Sequence, residues 1–383
     1  MIENLISLRK ELHQNPEISG SEEATAARIV KELEKCKPDE IVEGVGGAGV
    51  LAKFLSDNSG QGQSILFRAE LDAISVDEET GLDYQSNQKG VMHGCGHDGH
   101  MAILIGLANV LKKKKLQDLD VILLFQPSEE TGEGAERVLS DKHFQKLKID
   151  HSYALHNLPG FKENTVQIKK EVFAAASVGV EVKFKGKSSH AAYPEQGINP
   201  SIFIAEFIQL VNQNLEKFRN KNPLNKSVNT YIRLGEPAFG ISPGIGELGF
   251  TLRSPSDIDL DGAVQIVRET GEVMDDEFKG TVHIKTTEPF AATINSDEGV
   301  NIVKQAAQQE GVEVEELNAP FPWSEDFGEF RKKCPITIFG LGAGDEIASL
   351  HSEKYDFNDA LIPVGIRLFQ KIAEVYASGE NNL

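Results

Sequence analysis

Short apolar runs alternate with longer helical segments between residues 48 and 158, and this alternation restricts the folds that the chain can adopt. The segment from about Asp98 to Leu111 is apolar nearly all round, so we expect a buried helix there. The apolar runs before and after it are AGVLAKF, SILFRAEL, DVILLFQ and SYALHNL. Strand-like runs that alternate with helices predict an α/β fold, in which helices flank both faces of a mostly parallel sheet.

The alternation is interrupted near residue 172 by a stretch with a different pattern. Four strand-like runs occur there with a predicted helix around Ser201 to Lys217 and a second helix: ASVGVEVKFKG, VNTYIRLG, IGELGFTLRS and TVHIKTTE. Such a pattern is typical of an α+β unit. The alternation resumes with NSDEGVNIVKQAAQQEG and the strand PITIFGLG. We therefore predict a domain in two parts, residues 1–171 and 287–383, that carries an inserted α+β domain at residues 172–286.

Length and charge narrow the possible partners. A chain of 383 residues is too long for one ordinary core, which agrees with two domains. Acidic residues outnumber basic residues 59 to 39, for a formal net charge of −20. A surface of this sign repels phosphate backbones and anionic lipid head groups, so we expect no nucleic acid and no membrane among the partners.

The N-terminal segment and the cysteines bear on the cellular compartment. Charged residues interrupt the apolar positions of MIENLISLRKELHQNPE, which a secretion signal would not tolerate. No apolar run in the sequence approaches the roughly 18 residues that a membrane helix needs. Three scattered cysteines, an odd number, do not make a disulfide framework. We therefore expect a cytoplasmic protein with reduced thiols.

The segment VMHGCGHDGH, residues 91–100, concentrates three histidines and one cysteine between glycines. Cys95 and His97 are two positions apart, so in an extended segment both side chains point to one side, and the intervening glycine lets the backbone approach a ligand. A thiolate with an imidazole suits zinc and its neighbours in the first transition row. One alternative stays open at this point: a structural zinc held locally, with His93 and His100 as further ligands.

The acidic pair Glu129 and Glu130 follows the run DVILLFQ and precedes a glycine-rich turn in QPSEETGEG. Adjacent residues of an extended chain face opposite ways, so one carboxylate can bind a metal while the other stays free for proton transfer. The spacing does not say which carboxylate has which role. The location is typical of a ligand site, because ligands of α/β sheets bind where the strands end at their carboxyl edge.

Two further histidines end or follow apolar strands: His156 in SYALHNLP and His351 in ASLHSEKYDF. Each alone is more typical of a hydrogen-bonded structural residue. With Cys95, His97 and one of the two glutamates, they make five ligands at one sheet edge, which is too many for one tetrahedral zinc. Five ligands suffice for two metals that share a bridging ligand or water and lie about 3.5 to 4 Å apart. The pattern therefore predicts metal-assisted hydrolysis.

Characteristic motifs are spread over nearly the whole chain. They are LRKELHQNPEIS (8–19), FRAELDAISVDEETG (67–81), MHGCGHDGHMA (92–102), FQPSEETGEGA (125–135), ALHNLPG (154–160), GKSSHAAYPEQGINP (186–200), WSEDFGEF (323–330) and HSEKYDF (351–357). Together they resemble the motifs of the M20 metallopeptidases. The resemblance is greatest to the aminoacylase-like amidohydrolases, which include hippurate hydrolases, indole-acetyl-amino-acid hydrolases and N-acetyldiaminopimelate deacetylases.

This resemblance implies a role for each candidate residue. It implies two divalent ions (Zn, Mn, Co or Ni) whose ligands are Cys95, His97, Glu130, His156 and His351. It also implies that Glu129 is the general base and that Asp72 orients a metal ligand. The inserted domain would act as a lid or in dimerisation of a homodimer, and its His190 would stabilise the oxyanion, often from the partner subunit. Arg253 would lie near the substrate carboxylate.

The sequence departs from the family pattern at several positions. Where the family has a G-x-A-x-N-x-I-P segment, this chain has GEPAFGISPGIGELGFTLRS, which lacks the Asn and keeps Arg253. This departure bears on the identity of the substrate more than on the reaction. Glu70 stands where Asp is usual, and Ser75 stands where Pro is common. Neither residue is among the proposed ligands.

The residues and the resemblance together predict a hydrolase that cleaves the amide of an N-acylated amino acid or a small dipeptide through a metal-activated water. Glu129 would take a proton from that water and pass it to the leaving nitrogen. A metal-stabilised binding protein of the same fold is the alternative. Glu129 beside Glu130 counts against it, because a binding module needs the ligand and not the additional base. His13 and His283 match no ligand position, and we interpret both as structural.

Overall fold

The computed structural model describes residues 1–59 and 62–379. Helices occupy α1 (Ile2–Gln14), α2 (Glu23–Cys36), α3 (His97–Leu111), α4 (Gly134–Ser140), α5 (Lys142–Gln145), α6 (Ser201–Asn214), α7 (Glu216–Lys221), α8 (Asp257–Phe278), α9 (Asp297–Gln309) and α10 (Leu361–Ser378). Short 3₁₀ segments occupy Pro194–Gln196 and Asp326–Lys332. Within these described ranges, no helix has both the length and the apolar character needed to cross a membrane.

The strands lie between these helices. In chain order they are β1 (Glu40–Val45), β2 (Gly49–Phe54), β3 (Gln63–Glu70), β4 (Leu119–Gln126), β5 (His151–Pro159), β6 (Val166–Ile168), β7 (Glu171–Ala174), β8 (Ala176–Lys185), β9 (Ser189–His190), β10 (Lys226–Leu234), β11 (Ile241–Ser242), β12 (Ile245–Ser254), β13 (Thr281–Phe290), β14 (Thr293–Asn295), β15 (Val314–Glu316) and β16 (Ile336–Gly344).

The chain folds into two compact units. The first unit comprises Met1–Phe173, Thr293–Pro320 and the chain from Asp326 onward. The second unit comprises Ala174–Ala292 and the short segment Phe321–Glu325. The domain boundary predicted before residue 287 falls too early, because β13 continues to Phe290 within the sheet of the second unit. The short segment 321–325 has no counterpart in the predicted boundaries.

A large sheet forms the centre of the first unit, with the strand order β1-β2-β4-β3-β5-β16-β6-β15. Within the run β4-β3-β5-β16, each strand is parallel to the next. The pairings β1 with β2, β2 with β4 and β16 with β6 are antiparallel. The predicted fold class, a mostly parallel sheet flanked by helices, is therefore confirmed. The carboxyl ends of the four parallel strands meet at one edge of the sheet.

Helix α3 is the buried helix that the sequence predicts, and it begins at His97, one residue before the predicted start. Every residue from His97 to Ala108 is buried. The helix packs against β3 and contacts α1, α2 and α10, so it has no face left for solvent. Because every face of the helix is covered, apolar residues are favoured on every face. Each buried Leu or Ile contributes about 1.5–3 kcal/mol to the stability of the fold.

A buried ionic network ties α1 to the first turn of α3. The Nη1 atom of Arg9 lies 2.7 Å from Asp356 Oδ1 and 3.7 Å from Asp98 Oδ2. His13 Nδ1 lies 2.9 Å from Asp98 Oδ2, and its Nε2 lies 3.3 Å from Glu78 Oε1. Burial disfavours a charge on His13, but the carboxylates of Asp98 and Glu78 outweigh it and raise the pKa of His13 to about 9. His13 therefore holds the residue next to His97 in place.

The second unit has an antiparallel sheet with the order β10-β12-β8-β13. Its central strand β8 alternates buried and exposed residues from Val180 onward, which is the pattern of a sheet with one covered face. Helices α6 and α8 pack together over this sheet. The helix predicted from Ser201 to Lys217 is interrupted at Leu215, where α6 ends and α7 begins.

Candidate functional site

Most of the candidate site residues in the first unit lie at or after the carboxyl ends of four adjacent parallel strands. Asp72 follows β3, the pair Glu129 and Glu130 follows β4, His156 lies near the end of β5, and His351 follows β16. Cys95 and His97 lie at the start of α3. Because parallel strands end at the same edge, the topology brings these residues together although they are far apart in the sequence.

Gly96 sets the turn between Cys95 and the first residue of α3. Its φ of 92° lies in the left-handed region that favours glycine. A Cβ atom at this position would lie 2.4 Å from Asn157 Oδ1 and 2.6 Å from the Tyr355 hydroxyl. Both the backbone conformation and the close approach therefore require glycine between the two candidate ligands.

His97 and His156 both turn their Nε2 atoms toward the site, because their Nδ1 atoms are bound to backbone carbonyls. His97 Nδ1 lies 2.9 Å from the Asp72 backbone oxygen, and His156 Nδ1 lies 2.9 Å from the Asn157 backbone oxygen. Each Nδ1 donates to its carbonyl, which leaves each Nε2 lone pair directed at the cluster. Cys95 Sγ lies 3.5 Å from His156 Nε2. The donor atoms of Cys95, His97 and His156 all lie within 4.8 Å of one another.

The two glutamates join this cluster from a turn after β4. Glu130 Oε1 lies 3.5 Å from His351 Nε2 and 3.9 Å from His97 Nε2. Glu129 Oε2 lies 3.9 Å from His97 Nε2, and the Asp326 backbone amide donates to Glu129 Oε1 at 3.3 Å. The expectation of an extended chain here is wrong, because both residues lie in a turn. The turn directs both carboxylates toward His97 instead of to opposite sides.

The chemistry of these donors fits a divalent metal site. His97 Nε2 and Glu130 Oε1 are buried and make no hydrogen bond among the described residues. Buried polar atoms of this kind are usually satisfied, and a cation would satisfy both. Overlapping sets of donors within 4.8 Å of one another could hold metal ions: Cys95 with His97 and His156, Cys95 with Glu130 and His351, and His97 with Glu129 and Glu130. The thiolate, imidazole and carboxylate combination suits first-row transition ions.

The electrostatics of the cluster also favour positive charge. Burial disfavours a proton on His97, but Cys95 and Glu70 outweigh it and hold the pKa of His97 well above its usual value. Contacts with Cys95 and Glu130 raise the pKa of His351 to about 10. Burial raises the pKa of the Cys95 thiol, and the Glu130 carboxylate raises it further. The surroundings therefore attract cations, whether protons or metal ions.

His351 differs from the other candidate ligands because its side chain is 55% exposed. Its φ is 64°, in the left-handed region, which costs a non-glycine residue about 1–2 kcal/mol. A backbone hydrogen bond from His351 N to the Gly94 oxygen, 2.8 Å long, holds this conformation. The strained residue is thereby fixed against the loop that carries Cys95.

Asp72 is fully buried behind the cluster and contacts two of its residues. Its carboxylate accepts hydrogen bonds from the Glu130 amide at 2.9 Å and from the Ser19 hydroxyl at 2.7 Å. Burial disfavours its ionised form, but His97 and these two donors hold the pKa of Asp72 below its usual value. Asp72 thus positions both the backbone of Glu130 and, through its own carbonyl, the ring of His97.

The alternative of a structural zinc held only by the segment around Cys95 does not fit this geometry. His100 already has partners on both ring nitrogens, Glu70 Oε2 and Asn157 Oδ1, each at 2.7 Å. His93 is buried, and burial lowers its pKa to about 4. Among the described residues, His93 belongs to none of the groups that could hold a metal. Cys95 and His97 instead share donor groups with residues supplied by β5 and by the segments that follow β4 and β16.

Two positioning residues were missed by the sequence analysis. Glu22 is buried and accepts hydrogen bonds from the Ser128 amide at 2.8 Å and hydroxyl at 3.1 Å. Ser128 has a φ of 55°, and it immediately precedes Glu129. Asn157 holds His100 on one side and donates to the Tyr355 hydroxyl at 2.6 Å on the other. No local signal could identify Glu22, because it lies 106 residues from Ser128 in the sequence.

The remaining predicted site residues lie in the second unit. His190 ends β9, is exposed, and pairs with Ile241 of β11. Its Nδ1 accepts a hydrogen bond from the Ala192 amide at 3.0 Å, so the proton of the neutral ring is on Nε2. Arg253 Nη1 lies 3.2 Å from the Pro322 oxygen and 3.1 Å from Ser324 Oγ, and burial lowers the pKa of Arg253. His283 lies exposed on β13.

Comparison with known proteins agrees with this description. The profile of Peptidase family M20/M25/M40 matches residues 66–375. The chain is 30% identical to the N-acetyl-L-cysteine deacetylase of Bacillus subtilis strain 168, over 99% of this chain and 89% of that enzyme. It is 29% identical to the hippurate hydrolase of Campylobacter jejuni subspecies jejuni, over 96% and 95% of the two chains. The crystal structure of the YXEP protein of Bacillus subtilis, a dinuclear metal binding peptidase from the M20 family, has the same fold, with a TM-score of 0.79, 24% identity and 98% coverage of both chains. The chain therefore belongs to Peptidase family M20/M25/M40, as its motifs predict.

Proposed function

We propose that the protein is a metal-dependent amidohydrolase that cleaves N-acyl amino acids, or small dipeptides, into a carboxylic acid and a free amino acid. The observation that carries this proposal is the cluster of side chains that could hold metal ions, with the Glu129 carboxylate beside it. Membership in a peptidase family supports the reaction type. The names of the two relatives, a hippurate hydrolase and an N-acetyl-L-cysteine deacetylase, support N-acyl amino acids as the substrate class.

We assign two divalent ions, Zn, Mn, Co or Ni, to the ligands Cys95, His97, Glu130, His156 and His351. Bound there, they would supply a Lewis acid for the amide carbonyl and lower the pKa of water. The chain's own contribution is orientation. Asp72 fixes the His97 ring and the Glu130 backbone, and Asn157 fixes the ring of His156. Such supporting contacts around metal ligands typically change affinity or activity 10- to 100-fold when removed, by about 1 to 3 kcal/mol.

Glu129 has the position of a general base. One of its carboxylate oxygens is held by the Asp326 amide, and the other lies 3.9 Å from His97 Nε2 at the edge of the cluster. From there Glu129 accepts a proton from water and returns it to the leaving nitrogen of the amide. A protein that only binds metal needs no such additional carboxylate beside the ligand, which favours the enzyme over a non-catalytic binding protein of the same fold.

The substrate class is tested with purified, metal-loaded protein and a panel of N-acetyl amino acids, N-benzoyl amino acids and dipeptides. We expect release of free amino acid from at least one N-acyl class, measured by reaction with an amine-specific reagent. The Glu129→Gln variant serves as the control for contaminating hydrolases. Metal-loaded protein that binds these compounds but releases no amine from any of them would support the non-catalytic alternative.

For the second unit we propose roles in dimerisation and in catalysis. Strand β10 is an edge strand of its sheet, and Val228, Ile232 and Leu234 on it are exposed. Exposed apolar residues on an unpaired edge are typical of a surface that another chain covers, which supports a homodimer. His190 is exposed and its Nε2 carries the ring proton, which supports the role of oxyanion donor. The half-buried Arg253 supports recognition of the substrate carboxylate.

His190→Ala is expected to lower kcat by about 10² to 10³ without loss of metal, because an oxyanion donor acts chiefly in the transition state. Mixing this variant with Glu129→Gln tests whether the donor acts across the dimer. A heterodimer then contains one whole site, made of one subunit's intact base and the other subunit's intact His190. Recovery of activity after subunit exchange supports donation across the interface, and inactive heterodimers would exclude it.

We also propose a cytoplasmic location. All three cysteines are buried and free of disulfide bonds, as expected in a reducing compartment. Fractionation of the host cells measures this directly, and enzyme recovered only outside the cytoplasmic fraction would contradict it.

A further inference from the structure

The carboxylate of Asp326 is completely buried next to Glu129, and the mechanism proposed above gives it no role. Asp326 is the first residue of the 3₁₀ segment Asp326–Lys332, and it is 0% exposed. Only its backbone amide contacts the general base, at 3.3 Å from Glu129 Oε1. A buried carboxylate is costly unless it is paired and hydrogen-bonded, so its partners indicate what it stabilises.

Three donors hold the Asp326 carboxylate. Arg68 Nη2 donates to Oδ1 at 2.7 Å, and the Ala135 amide donates to Oδ2 at 2.9 Å. The side-chain amide of Gln126 lies between them, with Nε2 at 2.8 Å from Oδ1 and 2.7 Å from Oδ2. Because hydrogen bonds to a charged group are the strong ones, the side chain cannot rotate without a large loss of binding energy.

The sheet fixes the position of the Arg68 guanidinium. In the parallel pairing of β3 with β4, Glu70 lies opposite Gln126. Side chains alternate along a strand, so Arg68, Glu70 and Gln126 share one face of the sheet. Arg68 Nε donates to Gln126 Oε1 at 2.9 Å, and its Nη1 contacts Glu70. Arg68 is therefore held by the two strands and offers its remaining nitrogen to Asp326.

Two of the donors to Asp326 flank the turn that carries the general base. Gln126 is the last residue of β4, and Ala135 lies in the first turn of α4, so residues 127–134 run between them. One buried carboxylate thus binds both ends of this turn, and the amide of the same residue binds Glu129 inside it. The other oxygen of Glu129 is then left 3.9 Å from His97 Nε2.

We propose that Asp326 is a positioning residue for Glu129: its carboxylate, anchored to the sheet by Arg68, joins both ends of the turn 127–134, and its amide orients the base. The proposal rests on the amidohydrolase function proposed above. A general base must lie within hydrogen-bond reach of the proton that it accepts. A displacement of about 1 Å can lower the rate about 100-fold, so the turn has to be held firmly.

The first test is Asp326→Asn in the metal-loaded enzyme. The new amide group has the same shape, but in either orientation its NH₂ meets a donor, Arg68 and Gln126 on one side or Gln126 and Ala135 on the other. We expect kcat to fall about 10- to 100-fold, with the metal content unchanged and KM altered less than about threefold. The substrate is the N-acetyl or N-benzoyl amino acid that wild type hydrolyses fastest.

A double variant separates positioning of the base from a general structural defect. In the Glu129→Gln background there is no base left to orient, so adding Asp326→Asn should lower the remaining kcat by less than about twofold. If Asp326 only stabilised the fold, the losses of the two single variants would instead multiply.

Gln126→Met is a second variant in case Asp326→Asn does not fold. It removes one anchor of the turn and leaves Arg68 paired with both carboxylates, Glu70 and Asp326. We expect kcat to fall about 3- to 10-fold, again only when Glu129 is present. Asp120→Asn is the matched control, because Asp120 also lies on β4 and accepts hydrogen bonds, from the Ser56 amide at 2.8 Å among others, but it lies at the other end of the strand. Its kcat should stay within about twofold of wild type.

Crystal structures of wild type and the variants measure the positioning without any assay. The distance from Asp326 N, or from the amide of Asn at that position, to Glu129 Oε1 should lengthen beyond hydrogen-bond reach, which is about 3.5 Å. If wild type hydrolyses no N-acyl amino acid, the proposed function is overturned, and these structures still decide the positioning role. An unmoved Glu129 in both variants, or losses that multiply in the double variant, would overturn the role of Asp326 and leave the function standing.

Discussion

Removal of the divalent ions with a chelator is expected to lower the rate of amide hydrolysis by a factor of about 10⁴ or more. The reason is that the Lewis acid and the readily ionised water are lost together, and each contributes several kcal/mol to the barrier. Activity should return when Zn, Mn, Co or Ni is added back, and the rate with each metal identifies the preferred one. Elemental analysis before and after chelation measures occupancy in parallel with activity.

The chain offers an internal control for this experiment. Its folding does not depend only on the metal, since α3 and the parallel sheet share an extensive apolar core. Circular dichroism of the chelated protein should therefore retain the secondary structure while hydrolysis is lost. Full activity in protein shown to be metal-free would exclude the proposed mechanism.

The second large effect separates the adjacent glutamates of the turn after β4. Glu129→Gln should lower kcat by about 10² to 10⁴ and keep the bound metal, because it removes the proton acceptor but no ligand. Glu130→Gln should lose metal occupancy first and activity as a consequence, because Glu130 Oε1 is the oxygen that faces His97 and His351. Metal content and kcat, measured on the same preparations, distinguish the two roles.

Glu133→Gln is the matched control for this pair. Glu133 belongs to the same acidic motif, but its side chain is 53% exposed and contacts Arg137 on the surface. The variant should retain both metal and turnover. Equal metal content in the variants at residues 129 and 130 would show that the division of roles is wrong.

The family and the fold class could be predicted from the sequence because their signals are local. The alternation of apolar strands with helices persists over long stretches, and α3 is apolar all round because it is enclosed on every side. The motifs around Cys95 and Glu129 contain glycines that their turns require, as Gly96 shows with its φ of 92° and its contact with Asn157. Local conformational demands of this kind appear in the sequence as fixed residue types.

Other features depend on which distant residues meet. The pair Glu129 and Glu130 lies in a turn and not in an extended segment, and Glu22 stabilises that turn from a part of the chain 106 residues away. The segment Phe321–Glu325 belongs to the second unit although the chain on either side belongs to the first. Neither hydrophobic period nor residue spacing contains this information.

The sequence by itself determined the repertoire of donors: a thiol, three imidazoles and two carboxylates that follow strands or begin a helix. The tertiary structure decided how they are used. Parallel strand order brings the donors to one edge, and backbone carbonyls turn the Nε2 atoms of His97 and His156 inward. The physical reason is that residue type and local period fix the conformation of short segments, whereas side-chain orientation and cavity shape result from contacts between segments distant in the chain.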